Sequence, residues 1–125
     1  MNELQIIEQY INEFCENNAH PLDLGTINDL VEKDLDGNYA LGFTDEKNIF
    51  IPTYVGKGNL HKRLYEHTKE KPKQDYFKFL YVENERESYN LECKMFHMFI
   101  KQLMNKNHPP LPEDIKCLYC DHVGS

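Results

Sequence analysis

A chain of 125 residues with 40% apolar and 12% aromatic side chains has material for one compact domain, burying roughly 65% of its unfolded surface, and not for two. No apolar run nears the roughly 18 residues that span a bilayer, and Met1-Asn2-Glu3-Leu4 lacks the basic-then-apolar start of a secretion signal, so a cytoplasmic protein without a membrane partner is expected. A net charge of −7 speaks against nucleic-acid binding if the charge is spread evenly.

It is not spread evenly. The first 36 residues hold nine acids and one lysine, whereas residues 57–78 carry seven basic against three acidic side chains. An acidic leader followed by a basic island is what a local phosphate-binding face would require, although a Lys-rich helix end bathed in solvent would give the same pattern.

In chain order, Leu4, Ile7, Ile11 and Phe14 have the spacing of one helical face, with Asn2 as cap, and predict a helix over about 3–17. His20-Pro21 breaks it. Leu24, Ile27, Leu30 and Val31 then suggest a short second helix entered through Thr26, and residues 1–36 read as an N-terminal helical extension. After the turn at Asp36-Gly37, Tyr39–Phe43 and Ile49–Val55 read as an antiparallel hairpin. Pro52 cannot donate to a ladder, which implies an edge strand or a bulge just before Tyr54.

Gly56-Lys57-Gly58-Asn59 turns the chain into a helix over about 59–70, where Arg63 and His67 lie on one face at i and i+4. Tyr76–Val82 makes a third strand. Asn84 and Glu87 have the form of a capping box for a helix running to about Met104, apolar nearly all round yet containing Glu92. Beyond Asn107 comes the extended His108-Pro109-Pro110-Leu111-Pro112 and then Cys117-Leu118-Tyr119-Cys120-Asp121-His122. The expected fold is α+β: a small three-stranded antiparallel sheet flanked by helices in a β-β-α-β-α core over residues 37–107. Residues 1–36 extend it, and a Pro- and Cys-containing segment, 108–125, packs on it.

A tyrosine pair on a hairpin is ordinarily packing, and an Arg four residues before a His is ordinarily surface. A Glu on an apolar helix is rarer, since a buried carboxylate needs a cation, a donor or a proton, and metal coordination would satisfy it. Order and spacing say more than any single residue. Gly37-Asn38-Tyr39, Tyr54-Val55-Gly56-Lys57, Arg63 with His67, Glu92 and Asn107 together resemble the GIY-YIG nuclease family. Gly37-Asn38-Tyr39 stands where that family has Gly-Ile-Tyr, and Tyr54-Val55-Gly56 where it has Tyr-Ile-Gly. The departures are Asn38 and Ala40 in place of more apolar residues, and 14 residues between Tyr39 and Tyr54, which implies an extended hairpin loop. Asn105 competes with Asn107 for the late asparagine.

The resemblance implies a DNA endonuclease with Tyr39, Tyr54, Arg63, His67 and Glu92 as catalytic residues and Gly56, Lys57, Lys62 and Asn107 on the substrate side. Glu92 would hold a single Mg²⁺, with Mn²⁺ as substitute. Arg63 would fork onto the scissile phosphate in a way Lys could not reproduce. Tyr39, Tyr54 and His67 would order the attacking water, and Tyr39 and His67 jointly are the expected base, imidazole being the side chain suited to accept a proton near neutrality. DNA is the expected partner, with a homodimer as one source of specificity.

Cys117 and Cys120, with His108 before and His122 after, could be half of a structural zinc site, completed by Cys15 and His20 from the leader. Two rival readings stay open: an inactive module of the same fold that binds nucleic acid or protein, its basic face covered by the acidic leader, and a zinc-stabilised interaction protein.

Overall fold

Asparagine decides where three of the helices begin. In a computed structural model of the protein, which describes residues 1–71 and 73–124, the elements are α1 (Glu3–Glu16), β1 (His20–Pro21), α2 (Leu24–Leu30), β2 (Asp36–Thr44), β3 (Phe50–Asn59), α3 (Leu60–His67), β4 (Tyr76–Tyr81) and α4 (Glu85–Phe99). The side chains of Asn2, Asn59 and Asn84 accept the N–H groups of Gln5, Lys62 and Glu87, satisfying donors that the helix itself leaves free. At Asn2 the box is closed by Gln5. At Asn84 it stays half open, because the Glu87 carboxylate accepts the Tyr10 hydroxyl at 2.7 Å and ties α4 to α1 instead. The cap of α2 is Asp23, which accepts from Thr26 N–H, so the helix starts three residues earlier than a cap at Thr26 requires.

The architecture is α+β, with an antiparallel sheet in the order β1-β4-β2-β3, four strands rather than the expected three. The extra strand is the His20-Pro21 break, which pairs with Phe77 and Tyr76 at the edge of β4. Two residues give no periodic signal in a sequence. The central β2 pairs with β3 on one side and β4 on the other. Pro52 lies on the outer strand β3, and the register slips between Leu41 and Gly42, leaving Thr53 as the extra residue before Tyr54. The proline thus sits at an edge and at a bulge together. The hairpin loop is not extended: Asp45 closes 45–49 by accepting the Lys47 and Ile49 N–H groups, and the added length goes into longer strands.

Helices cover both faces. On one face α1 and α4 meet Ala40, Leu80 and Val82 through Ile7, Ile11, Phe14, Leu91 and Met95. On the other, Leu22, Ile27 and Val31 pack with Leu60 and Leu64 of α3 against Tyr39, Leu41 and Phe77. The first 36 residues are therefore core material for both layers and not an appendage. Of their acids, Glu3 pairs with Arg86 and Glu8 with Lys94 at 3.1 Å, both on α4 and outside the basic island. The island itself divides, since Lys73 and Lys78 donate to the carbonyls of Leu22 and Cys15 and leave the face that carries Arg63. Among the described residues no helix is long and apolar enough to cross a membrane.

Because α1 belongs to the core, Phe14→Ala should lower the free energy of unfolding of the whole chain by about 3–5 kcal/mol in urea melts, followed by both circular dichroism and tyrosine fluorescence. A transition in which the two signals separate, or an unchanged midpoint, would show α1 to be a detachable extension.

Candidate active site

Strand alternation sorts the candidate residues into two sets. Residues directly opposite in β2 and β3 share a face, so Tyr39 with Gly56 and Leu41 with Tyr54 face α3, while Asn38 with Lys57 and Ala40 with Val55 face α4. The two sets meet at β3, the edge.

On the α3 side three rings gather. Tyr39 and Tyr54 stack with centroids 6.2 Å apart, and the His67 ring lies 5.4 Å from the first and 4.9 Å from the second. The Tyr39 hydroxyl is 2.8 Å from His67 Nε2, and His67 Nδ1 is 2.9 Å from a Glu70 carboxylate oxygen. An ionised carboxylate only accepts, which puts the proton on Nδ1 and leaves Nε2 to accept from the phenol. Glu70 is the member sequence reasoning missed. The available signal was its place three residues after His67, one helical turn on.

Burial drives the Tyr39 phenol far above its usual range, with the nearby Tyr54 and Glu92 adding to the effect and Arg63 opposing it. Tyr54 is raised as well, by burial first, and Arg63 again works the other way. Gly56 owes its identity to this cluster, because a Cβ there would fall 2.5 Å from the Tyr39 hydroxyl. Gly58, at φ +130°, has the backbone only glycine adopts freely, and it lies under the Arg63 side chain. Arg63 is about half exposed, and its contact with Glu66 is a loose 4.0 Å, so its guanidinium is free to take an incoming anion.

On the other side, Ser88, Glu92 and Phe96 form one stripe of α4, four residues apart. Ser88 is locked to β2: its hydroxyl donates to Asn38 Oδ1 at 2.8 Å, and its carbonyl accepts from Asn38 Nδ2 at 3.0 Å. One turn on, Glu92 looks into a cleft of about 180 Å³ lined also by Tyr54, Val55, Phe96, Asn105, Asn107 and Pro109. Both candidate asparagines are there. Tyr54 reaches this cleft, whereas Tyr39 and His67 stand behind it. Lys57 bends over the Tyr89 ring, 4.0 Å from its centroid, and Lys62 is exposed on the first turn of α3.

Burial pushes Glu92 up to about 7, with Lys57 and Arg63 pulling it back down. Among the described residues no hydrogen bond or ion pair reaches this carboxylate, although it is only 7% exposed. A desolvated oxygen donor without a partner, opening onto a polar cleft, suits a hard divalent cation that keeps most of its own waters.

A second cluster forms beyond α4, where His97, His108, Cys117 and Cys120 converge as a group able to hold a metal ion. The expected completion of that site from the leader is wrong. Cys15 is exposed on α1, and His20 packs against Phe77 and Phe79 at the far edge of the sheet. The missing donor is His97, whose place in the apolar run of α4 read as the end of a core helix. His122 stacks on His108 at 4.0 Å but is not in the group.

Glu92 makes stability depend on pH. Between its ordinary 4.5 and about 7 the folded state holds a proton that the unfolded chain has released, so stability falls as pH rises through that window and is level above it. The loss amounts to about 3 kcal/mol at most. In magnesium-free buffer Glu92→Gln should therefore lose up to about 3 kcal/mol less than wild type between about pH 5 and pH 8, read by urea titration. Parallel curves for the two proteins would mean that Glu92 is solvated like any surface carboxylate.

No protein-family model, curated protein or solved structure matches the chain, so function has to be read from the site's own geometry.

Proposed function

We propose that the protein is a Mg²⁺-dependent endonuclease of the GIY-YIG type that hydrolyses DNA phosphodiester bonds, with Mn²⁺ able to replace Mg²⁺. The observation that carries this reading is the meeting, at one strand edge, of an unpartnered buried carboxylate with an uncommitted guanidinium and a hydrogen-bonded Tyr-His-Glu chain. The order β2-β3-α3-β4-α4 is also the one the family resemblance implies. A binding module has no use for a lone desolvated Glu92 facing a cleft, since the same burial favours an apolar residue there.

Phosphodiester hydrolysis needs an activated water, neutralised phosphoryl charge and a stabilised leaving oxygen. Glu92 would hold the cation, with the cleft asparagines beside it, and the bound cation supplies Lewis acidity and a lowered pKa for water. Arg63 grips the phosphoryl oxygens in a fork, and Lys57 and Lys62 take the neighbouring backbone phosphates. Tyr54, the phenol that lines the cleft, orients the attacking water. The water's proton passes through the stacked phenols to His67 Nε2, and Glu70 stabilises the imidazolium that results. As the water oxygen bonds to phosphorus, the bond to the sugar oxygen breaks, and the departing alkoxide takes a proton from solvent.

Among the described residues no element is placed to read base edges, and we read the specificity as weak in sequence or supplied by a second copy of the protein.

Mg²⁺-dependent nicking of supercoiled plasmid is the test. Glu92→Ala and Arg63→Ala should each lower the rate at least about 10²–10³-fold in proteins whose circular dichroism matches wild type, and Arg63→Lys should not restore it. If wild type leaves supercoiled, branched and single-stranded DNA uncut with either metal, the fold serves as a binding module and the catalytic reading fails.

A further inference from the structure

Residues 100–124 have almost no regular structure, a single bridge between Lys116 and Val123 being their only ladder contact outside the named strands. Their buried apolar side chains are few: Leu103, Pro109, Leu111 and Cys117, with Leu111 and Cys117 packed on Cys93 of α4. A segment this poor in hydrogen-bonded and apolar support needs another tie to stay against the domain. Two adjacent stripes of α4 explain where the tie sits. Ser88, Glu92 and Phe96 line the carboxylate cleft, and the next stripe, Tyr89, Cys93 and His97, faces the C-terminal segment.

We propose that His97, His108, Cys117 and Cys120 form a tetrahedral structural zinc site that staples the C-terminal segment to the end of α4, a role independent of the nuclease reading. The four donor atoms all lie within 4.8 Å of one another. Donors on one zinc sit roughly 3.3–3.8 Å apart, given Zn–S of about 2.3 Å and Zn–N of about 2.0–2.1 Å. His97 Nε2 and Cys117 Sγ are already at 3.6 Å.

The protonation of His108 is set for ligation. Its Nδ1 lies 2.8 Å from the Pro109 carbonyl, which can only accept, so Nδ1 carries the proton and Nε2 the lone pair. That Nε2 is buried without a hydrogen-bond partner among the described residues. A lone pair left so is costly unless a cation takes it.

The cysteines are held in position. Tyr119 N–H donates to Cys117 Sγ at 3.3 Å and His122 N–H to Cys120 Sγ at 3.4 Å, each from two residues ahead. Such bonds hold each sulfur in place against the backbone of its own loop. The Cys117 N–H to His122 carbonyl bond at 2.9 Å, with the Lys116–Val123 bridge, closes the loop that presents both sulfurs to one point. Two thiolates and two imidazoles without a carboxylate select zinc over the hard cation suited to Glu92, and four protein donors leave no open position for a reacting water.

The site also bears on the cleft. His108, Pro109 and Pro110 line the Glu92 cleft, with Asn107 next to them, so the staple fixes one of its walls.

The test is the metal content of the full-length protein, purified under reducing conditions without chelator. About one zinc per chain is expected, released when the thiols are titrated with a mercurial. Cys117→Ser and His108→Ala should lose the metal, while Cys93→Ser, Cys15→Ser and His122→Ala keep it. Should the first pair fail to fold, wild type reconstituted with Co²⁺ gives the answer directly. A tetrahedral site with two thiolates must then show strong visible ligand-field bands and a thiolate charge-transfer band, undiminished in Cys93→Ser. Wild type that carries less than about 0.1 metal per chain and shows no such cobalt bands would overturn the proposal. So would metal that is lost with Cys93 and retained without His108, or a Cys117–Cys120 disulfide in the protein as isolated.

Discussion

The alternation of side chains along β2 is the constraint on which the rest depends. This strand is central and covered by helices on both faces, so consecutive residues are sent to opposite layers with no solvent on either side. Tyr39 is committed to the α3 layer and Asn38 and Ala40 to the α4 layer. Groups from the two layers can cooperate only where the sheet ends, which is β3. A slip of one residue would bury Asn38 among Leu60 and Leu64 and swing Tyr39 into α4. The Asn38–Ser88 pair guards against that slip, because its two hydrogen bonds are satisfied only in this register and would leave buried polar atoms bare in any other. The same pair sets the rotation of α4, and through it the direction of Glu92 one turn later.

Glycine lets the edge work. A side chain at position 56 would displace the Tyr39 phenol, and one at position 58 would strain the backbone beneath Arg63. With both positions bare, an aromatic ring from the central strand and a long cation from α3 both lie against the α3 face of the edge strand. Helix α3 contributes little more than this: it is only eight residues long, anchored by Leu60, Leu64 and His67, with Arg63 left on its open side.

Much of this was legible in the sequence, for identifiable reasons. Helices with asparagine caps and a 3.6-residue apolar period announced themselves, and so did the hairpin and the proline at its bulge. What escaped notice lacked a local signature. β1 is two residues long and is a strand only because β4 offers it an edge. Treating residues 1–36 as an appendage followed from their acidity, but the acids of α1 and α2 lie on the outer faces of helices whose inner faces hold Ile7, Ile11, Phe14 and Ile27. The charge count also misled for the basic island, since spacing along a chain does not say which lysines point the same way. At the site, Tyr39, Tyr54, Arg63 and Glu92 could be named from order and spacing. Glu70 had only its place three residues after His67 to mark it, and His97 had no local signal, since its role comes through partners far off in sequence. His97 in particular was hidden by its surroundings: a histidine in an apolar run ordinarily reads as packing until a loop eleven residues on brings His108 beside it.

The two stripes of α4 separate two kinds of chemistry by one residue of helical offset. Glu92 offers hard oxygen to a polar cleft, and His97 offers nitrogen to a closed group containing two sulfurs. Neither set of donors suits the other's ion, so sites about one turn apart on the same helix need not compete for metal. The Pro109-Pro110 wall lies between them and belongs to both, as lining for one and as the strap that carries His108 to the other. An ordered wall keeps the carboxylate desolvated, and that desolvation, against the pull of Lys57 and Arg63, is what raises Glu92 to about 7. Loosening the C-terminal staple would therefore act on the cleft through water before it acted through geometry. Solvent entering beside Pro109 would solvate the carboxylate and return it toward its ordinary range, with every residue of the Tyr39–His67–Glu70 chain still in place.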